Sequence, residues 1–232
     1  MRHRAIFYHE PVAVLNADVA ELLGLHAGDG WLSTEWGLAL NIADTDMTEH
    51  VRGLIRRVLG VEPYVSRKSD KSISVRSGQA QVIQFFREYG FQLGKKSRIV
   101  AVPAAVLQSS DPTVIRAFLR GLFSADGCFT HRGRSGSCYF SVASVKLRDG
   151  FVTLASKVGI QFRCYSNSNA SGKNKVPLRT AHIGKRVDVM RWMDEIGSEC
   201  DAHAKRFREW RELVLQPRNA LGTRESAAGA RG

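Results

Sequence analysis

Residues 22–30 read Leu-Leu-Gly-Leu-His-Ala-Gly-Asp-Gly, and residues 119–127 read Leu-Arg-Gly-Leu-Phe-Ser-Ala-Asp-Gly. The two stretches share the glycine at the third place, the leucine at the fourth and the closing Asp-Gly. Each follows helix-compatible sequence, from Asp18 in one case and Asp111 in the other. Both aspartates suit a helix N-cap, and Pro112 suits the first helical position.

The repeat continues beyond the two stretches. Strand-like runs at 31–34 and 38–43 are matched by 128–131 and 138–144, each pair separated by turn-forming residues. Helical periodicity follows over 48–59 and 146–158, closed by Gly60 and Gly159, the residue favoured just past a helix end. Strands at 64–67 and 72–76 correspond to 161–166 and 178–183. Last helices at 79–89 and 185–196 end before Gly90 and Gly197. The predicted fold is therefore α+β, with two pseudo-symmetric α-β-β-α-β-β-α halves. Residues 1–94 form the first half, 95–110 a linker, and 111–216 the second half with a C-terminal helix. The Ala-, Gly- and Arg-rich end, 217–232, reads as a disordered tail, and the polar stretch 167–175 as a flexible insertion.

The chain has 232 residues with 34 Lys and Arg against 22 Asp and Glu, a net charge of +12. A hydrophobic content of 44% supports a packed core, and the charge points to a polyanionic partner. No apolar run approaches the roughly 20 residues that span a bilayer. Met1–Val19 has no continuous apolar stretch of the kind a signal peptide needs. Cys128, Cys138, Cys164 and Cys200 show no C-x-x-C spacing and read as reduced thiols. Cys200 and His203 would make half a zinc site, for which no second pair is evident. A cytoplasmic protein, or an organelle matrix protein if organelle-encoded, is the expectation.

Within each nonapeptide small residues stand four apart, Gly24 with Gly28 and Gly121 with Ala125. On helices they share a face, so two such helices can bring their backbones unusually close. An Asp-Gly helix end is also an ordinary C-cap, but a carboxylate there faces a negative dipole end at a cost of about 0.3–1 kcal/mol. Packed side by side, the helices would bring Asp29 and Asp126 together, and divalent cations are the natural relief. Two carboxylates, metal ions and a basic surface suit hydrolysis of a phosphodiester.

These paired motifs resemble those of the LAGLIDADG homing endonucleases, in the branch where one chain carries both, and the resemblance extends over about residues 15–215. It implies that the motif helices form the central interface, and that Asp29 and Asp126 bind catalytic Mg²⁺, with the carbonyls of Gly28 and Ala125 as further contacts. Mn²⁺ would substitute, and Ca²⁺ would support binding without cleavage. Ala27 and Ser124 stand where the family's name has its first Asp, which is not the metal ligand. His26 replaces an apolar residue and reads as an interface or core histidine. The resemblance further implies a basic residue near each cleavage centre. Lys96 (or Lys95) and Lys205 are the candidates, although each alone is equally a solvated loop residue. Asn41 and Ser141 fall at the water-positioning place on the second strand of each half.

Each sheet is expected to have one face on the helices and one free. Strand alternation then turns Ser33, Glu35, Lys68 and Arg76 outward in the first half. In the second it turns out Thr130, Arg132, Arg134, Arg163, Tyr165, Lys175 and Arg179. Arginine suits guanine and lysine suits phosphate. The resemblance implies a DNA-binding saddle, and two different rows imply a long asymmetric double-stranded target, bound by a monomer that needs no protein partner and cut with a staggered break. An intein would need a nucleophilic first residue and a terminal His-Asn, whereas this chain begins Met-Arg-His and ends Ala-Gly-Ala-Arg-Gly. An RNA maturase or a non-cleaving DNA-binding regulator on the same scaffold is the alternative, and regulators of that kind lose the acidic pair.

Overall fold

A computed structural model describes residues 8–35, 37–42, 45–67, 73–167 and 177–217. Lys68, Lys175, nearly all of the polar insertion and the tail beyond Pro217 lie outside these. The first half runs α1 (Ala17–Asp29), β1 (Gly30–Ser33), β2 (Gly37–Ile42), α2 (Thr45–Leu59), β3 (Tyr64–Arg67), β4 (Ile73–Ser77) and α3 (Ala80–Glu88). A short helix, α4 (Ala104–Gln108), crosses the linker. The second half runs α5 (Pro112–Asp126), β5 (Gly127–Arg132), β6 (Ser135–Val142), α6 (Val145–Lys157), β7 (Arg163–Asn167), β8 (Leu178–Ile183), α7 (Arg186–Glu195) and α8 (Asp201–Leu215). The expected order is thus traced twice.

Each half folds its strands into one antiparallel sheet, ordered β1-β2-β4-β3 and β5-β6-β8-β7. Alternate residues Leu32, Leu38, Leu40 and Val75 bury against helices, as do Phe129, Phe140 and Ala181. The opposite faces carry polar and aromatic side chains. Asp111 caps α5 as expected, accepting from the Thr113 amide at 2.8 Å. Helix α1 begins earlier than expected, capped by Asn16, whose side chain accepts from the Val19 amide. Asp18 instead lies in its first turn and pairs with Arg57 at 2.7 Å.

Gly60, Gly90, Gly159 and Gly197 all take positive φ and end their helices as the sequence predicts. The two Asp-Gly glycines behave differently. Gly30 and Gly127 have φ of −82° and −80°, extended values open to any residue. What they lack is space: a Cβ on Gly30 would overlap His26, and one on Gly127 would overlap Phe123.

Helices α1 and α5 make the most extensive helix–helix contact of the fold. They run parallel. A Cβ on Gly24 would strike the Phe118 carbonyl and the Leu122 amide, and one on Gly121 would strike the Glu21 carbonyl. Further along, Gly28 faces Ala125, whose Cβ stands 2.5 Å from where a Gly28 Cβ would be. The spacing of small residues therefore has its expected cause, backbone approach closer than side chains permit.

An ion-pair cluster reinforces this seam. Glu21, only 2% exposed, accepts from His50 of α2 at 2.6 Å and from Arg120 of α5. Arg120 also meets Glu199, at 3.2 Å, and His50 stands 3.8 Å from it. Burial pushes the Glu21 carboxyl up, but the hydrogen bonds from His50 and Arg120 outweigh it and leave it below its ordinary value. The bond to Glu21 holds His50 above its ordinary value, against burial.

Two expectations follow. Gly24→Ala or Gly121→Ala should cost about 3 kcal/mol or more in urea unfolding, because the added methyl meets backbone. Gly53→Ala, in α2 against the flexible end of Arg57, should be neutral or gain up to about 1 kcal/mol. The depressed Glu21 contributes stability above its ordinary pKa of 4.5, lost on acidification. The raised His50 contributes below its ordinary 6.5, lost as pH climbs through its higher folded value. The destabilisation caused by His50→Gln should therefore be largest between pH 4.5 and 6.5. It should shrink toward pH 9, as read from urea midpoints.

Candidate active site

The parallel packing of α1 and α5 brings two helix C-termini together, each ending in an aspartate. The Asp126 carboxylate lies across the seam, its Oδ2 3.3 Å from the place of a Gly28 Cβ. Burial, then the charge of Asp126, pushes the Asp29 carboxyl up to about 6, with Lys96 opposing, although one edge of Asp29 stays open to solvent. Asp126 is likewise raised by burial and lowered by Lys96. Carboxylates at the negative ends of two helix dipoles need a cation.

Lys96 provides one. Its Nζ donates to the carbonyls of Ala27 at 2.6 Å and Gly28 at 2.5 Å, the last turn of α1. Burial lowers its pKa to about 8, with Asp126 and Asp29 resisting, so it is charged at neutral pH. Lys95, its neighbour, is exposed. On the other side of the seam, Asp29 opens onto a cavity of about 120 Å³, shared with Asn41, Ala125, Cys200 and His203. Two half-sites result, each combining an aspartate from one helix with the small residue before the other aspartate. Asp126 meets Gly28 beside Lys96, and Asp29 meets Ala125 beside His203.

The all-oxygen donors of each half-site, a carboxylate and a peptide carbonyl, fit a hard divalent cation such as Mg²⁺. The Lys96 ammonium on the Gly28 carbonyl shows that a positive charge is accommodated there. Among the described residues, one cluster of His, Cys, Asp and Glu donors is compact enough for a metal: Glu21, His50 and Glu199, within 4.8 Å of one another. Arg120 already neutralises it, which makes it an ion-pair lock rather than a metal centre.

Lys205 does not reach the carboxylates; it is exposed on α8. The repeat assigns its place to another residue: Lys96 follows Gly90 by six residues, and His203 follows Gly197 by six. That count was the available signal. His203 is 7% exposed, its Nδ1 is 2.9 Å from Ser198 Oγ, and burial, then Arg206, lowers its pKa to about 4. His26 is fully buried between Phe86 and Phe91, with ring centroids 4.4 and 4.5 Å away, as befits a core residue. Burial, followed by Lys96, holds it well below the ordinary histidine value.

On the free faces, cross-strand register settles the orientation. Ser33 pairs with Gly37, and Arg76 with Ala39 and Tyr64, all on the outer side with Trp31 and Asn41. Glu35 is exposed in the β1–β2 turn. Thr130 and Arg132 face out from β5, opposite Ser137 and Ser135, and Arg163 and Tyr165 face out from β7. Ser141 lies on the same outer face and shares a 2.9 Å hydrogen bond with Thr180. Two expected readers are corrected. Arg134 turns onto α8, donating to the carbonyls of Val214 and Gln216 at 2.8 and 2.9 Å. Arg179 pairs with Val142 and Ser166, in register with the helix-covered side rather than the outer one. The cysteines are all free, but only Cys138 is buried, and Cys164 is exposed.

A family model for the LAGLIDADG-like domain matches residues 113–197, within the second half of the chain, and the first half repeats the same order of elements. Solved structures agree. I-DmoI in complex with DNA and Mn is 13% identical at a TM-score of 0.55, over 79% of this chain and 98% of that one. The N-terminal LAGLIDADG domain of DUF199/WhiA gives 0.54 at 15% identity, over 82% and 87%. I-WcaI bound to its DNA recognition sequence gives 0.53 at 11% identity, over 89% of each. The chain thus has the LAGLIDADG fold with two motif helices. A segment of the replication factor C small subunit of Methanocaldococcus jannaschii is 24% identical over 196 residues, 84% of this chain, which spans 10% of that protein's length. Among the described residues no helix is long and apolar enough to cross a membrane.

Two raised carboxyl pKa values mean that the ionised pair destabilises the fold at neutral pH and that protonation relieves it. Asp126→Asn should therefore raise Tm at pH 8 by about 2–4 °C. The gain should fade as pH falls through the raised value of Asp126 toward the ordinary aspartate value of 3.8. Differential scanning calorimetry across that range checks it.

Proposed function

We propose that this protein is a site-specific homing endonuclease that binds a long, asymmetric double-stranded DNA target as a monomer and makes a staggered double-strand break. The observation that carries the reading is the pair of aspartates at the converging ends of α1 and α5, Asp126 packed on Gly28 and Asp29 sharing a cavity with Ala125, between two sheets with polar outer faces. That I-DmoI and I-WcaI are known with DNA bound supports the same ligand here.

In each half-site Asp29 or Asp126 would hold the cation, with the carbonyl of Ala125 or Gly28 as second contact. Bound Mg²⁺ supplies Lewis acidity toward the phosphate and lowers the pKa of water. Mn²⁺ substitutes, and Ca²⁺ supports binding without cleavage. Lys96 places its ammonium beside the phosphate and stabilises the charge that develops there. Asn41 and Ser141 orient the attacking water. The water oxygen bonds to phosphorus, the P–O3′ bond breaks, and the 3′ oxygen leaves with a proton. Ser33, Glu35, Arg76, Thr130, Arg132, Arg163 and Tyr165 contact base edges and phosphates along the two sheets.

Incubating the protein with a randomised-site plasmid library tests this. Mg²⁺ should give a discrete linearised pool that Ca²⁺ does not. Asp29→Asn and Asp126→Asn should each lower double-strand cleavage by about 10³-fold or more, with DNA affinity within about threefold of wild type. Enrichment of one bound sequence without any cut would favour the non-cleaving binder, and loss of binding by both folded mutants would overturn the assigned roles. RNA is the next ligand if neither cutting nor binding of DNA occurs.

A further inference from the structure

The two half-sites are chemically unequal. The one formed by Asp126 and Gly28 has a primary ammonium, Lys96, anchored by two carbonyl bonds. The one formed by Asp29 and Ala125 has an imidazole in the matching place. His203 Nδ1 is engaged with Ser198 Oγ at 2.9 Å, which leaves Nε2 as the ring nitrogen for a second partner. Its ring shares the 120 Å³ cavity with Asp29 and Asn41. The loop before it is held rigidly: Ser124 Oγ, on the motif helix, accepts from the Glu199 amide at 2.8 Å. Ser198 in turn lies within 3.3 Å of Ser124, and Glu199 joins the Arg120 cluster. This side chain is therefore a positioned group lining the cavity of the Asp29 half-site.

We propose that His203 is the second half-site's substrate-contacting residue and that its replacement of a lysine makes the two DNA strands break at different rates. The inference rests on the endonuclease reading above. An ammonium supplies a full charge to a phosphate whose negative charge rises in the transition state, whereas an imidazole supplies a single hydrogen bond. The strand served by Asp126 and Lys96 breaks first, and a nicked duplex accumulates before the strand served by Asp29 and His203 follows.

The test follows each strand separately, with a distinct end label on either side of the target recovered from the plasmid library. Wild type should break one strand about tenfold faster than the other. His203→Asn keeps a polar group for Ser198 and should slow only the slower strand, by about tenfold, while His203→Lys should narrow the gap. A second readout is independent of turnover: in the Ca²⁺ complex, the Nε2 resonance of ¹⁵N-labelled His203 should shift when target DNA is added, and not with an unrelated duplex. Equal strand rates in wild type, equal slowing of both strands by His203→Asn in a variant with unchanged Tm, or an unmoved Nε2 resonance would each overturn the assignment. Complete absence of cutting by wild type would instead remove the endonuclease reading, and this inference with it.

Discussion

The closeness of α1 and α5 governs the rest of the molecule. Gly24, Gly121 and Gly28 let two parallel backbones touch, and contact at that range aligns two helix dipoles whose negative ends converge. Nothing in hydrophobic packing asks for that, and the electrostatics oppose it. The arrangement persists because the seam is dry and tightly interlocked, and because cations are brought to it. Arg120 meets Glu21 toward the start of the helices, and Lys96 meets the carbonyls at their ends. Where the two aspartates stand, neutralisation is left incomplete, and that residual negative field is what a divalent ion would find attractive. Stability sacrificed at that point is the ordinary mark of a site shaped for chemistry.

Much of this was legible in the sequence because it depends on local rules repeated twice. The Asp-Gly ends, the glycines closing α2, α3, α6 and α7, and the spacing of Gly24 with Gly28 all act over a few residues, and a duplicated pattern checks itself. What escaped the reading is long-range. No local signal joins Glu21 to His50, Arg120 and Glu199, which lie on four separate segments and meet only when both halves close. Arg134 looked like an outward reader because a turn in a basic sheet usually is one; its partners are carbonyls more than seventy residues away. An ordinary C-cap would put Gly30 and Gly127 in the left-handed region, whereas both are extended and crowding by His26 and Phe123 explains them.

The second half-site shows a different limit. Lys205 attracts notice as a lysine near the right place, and charge alone made it the candidate. Helix α8 has its own register: His203, Phe207, Trp210 and Val214 form the buried stripe, so position 205 must point to solvent. Counting from the glycine that ends the preceding helix gives the geometric equivalent, and that residue is a histidine. Residue type and structural position had separated, and position was the better guide.

Arg134 carries one more consequence. Its guanidinium grips the last carbonyls of α8, and Trp210 Nε1 donates back to the Arg134 carbonyl at 3.1 Å, so the hairpin tip and the C-terminal helix are tied in both directions. The outer end of the second sheet is thereby splinted, while among the described residues the corresponding β1–β2 turn of the first sheet has no helix of this kind after α3. One rim is thus braced by the C-terminal helix and the other by the Gly94 amide donating to the Leu32 carbonyl at 2.8 Å, so the two halves would meet a curved surface with unequal compliance.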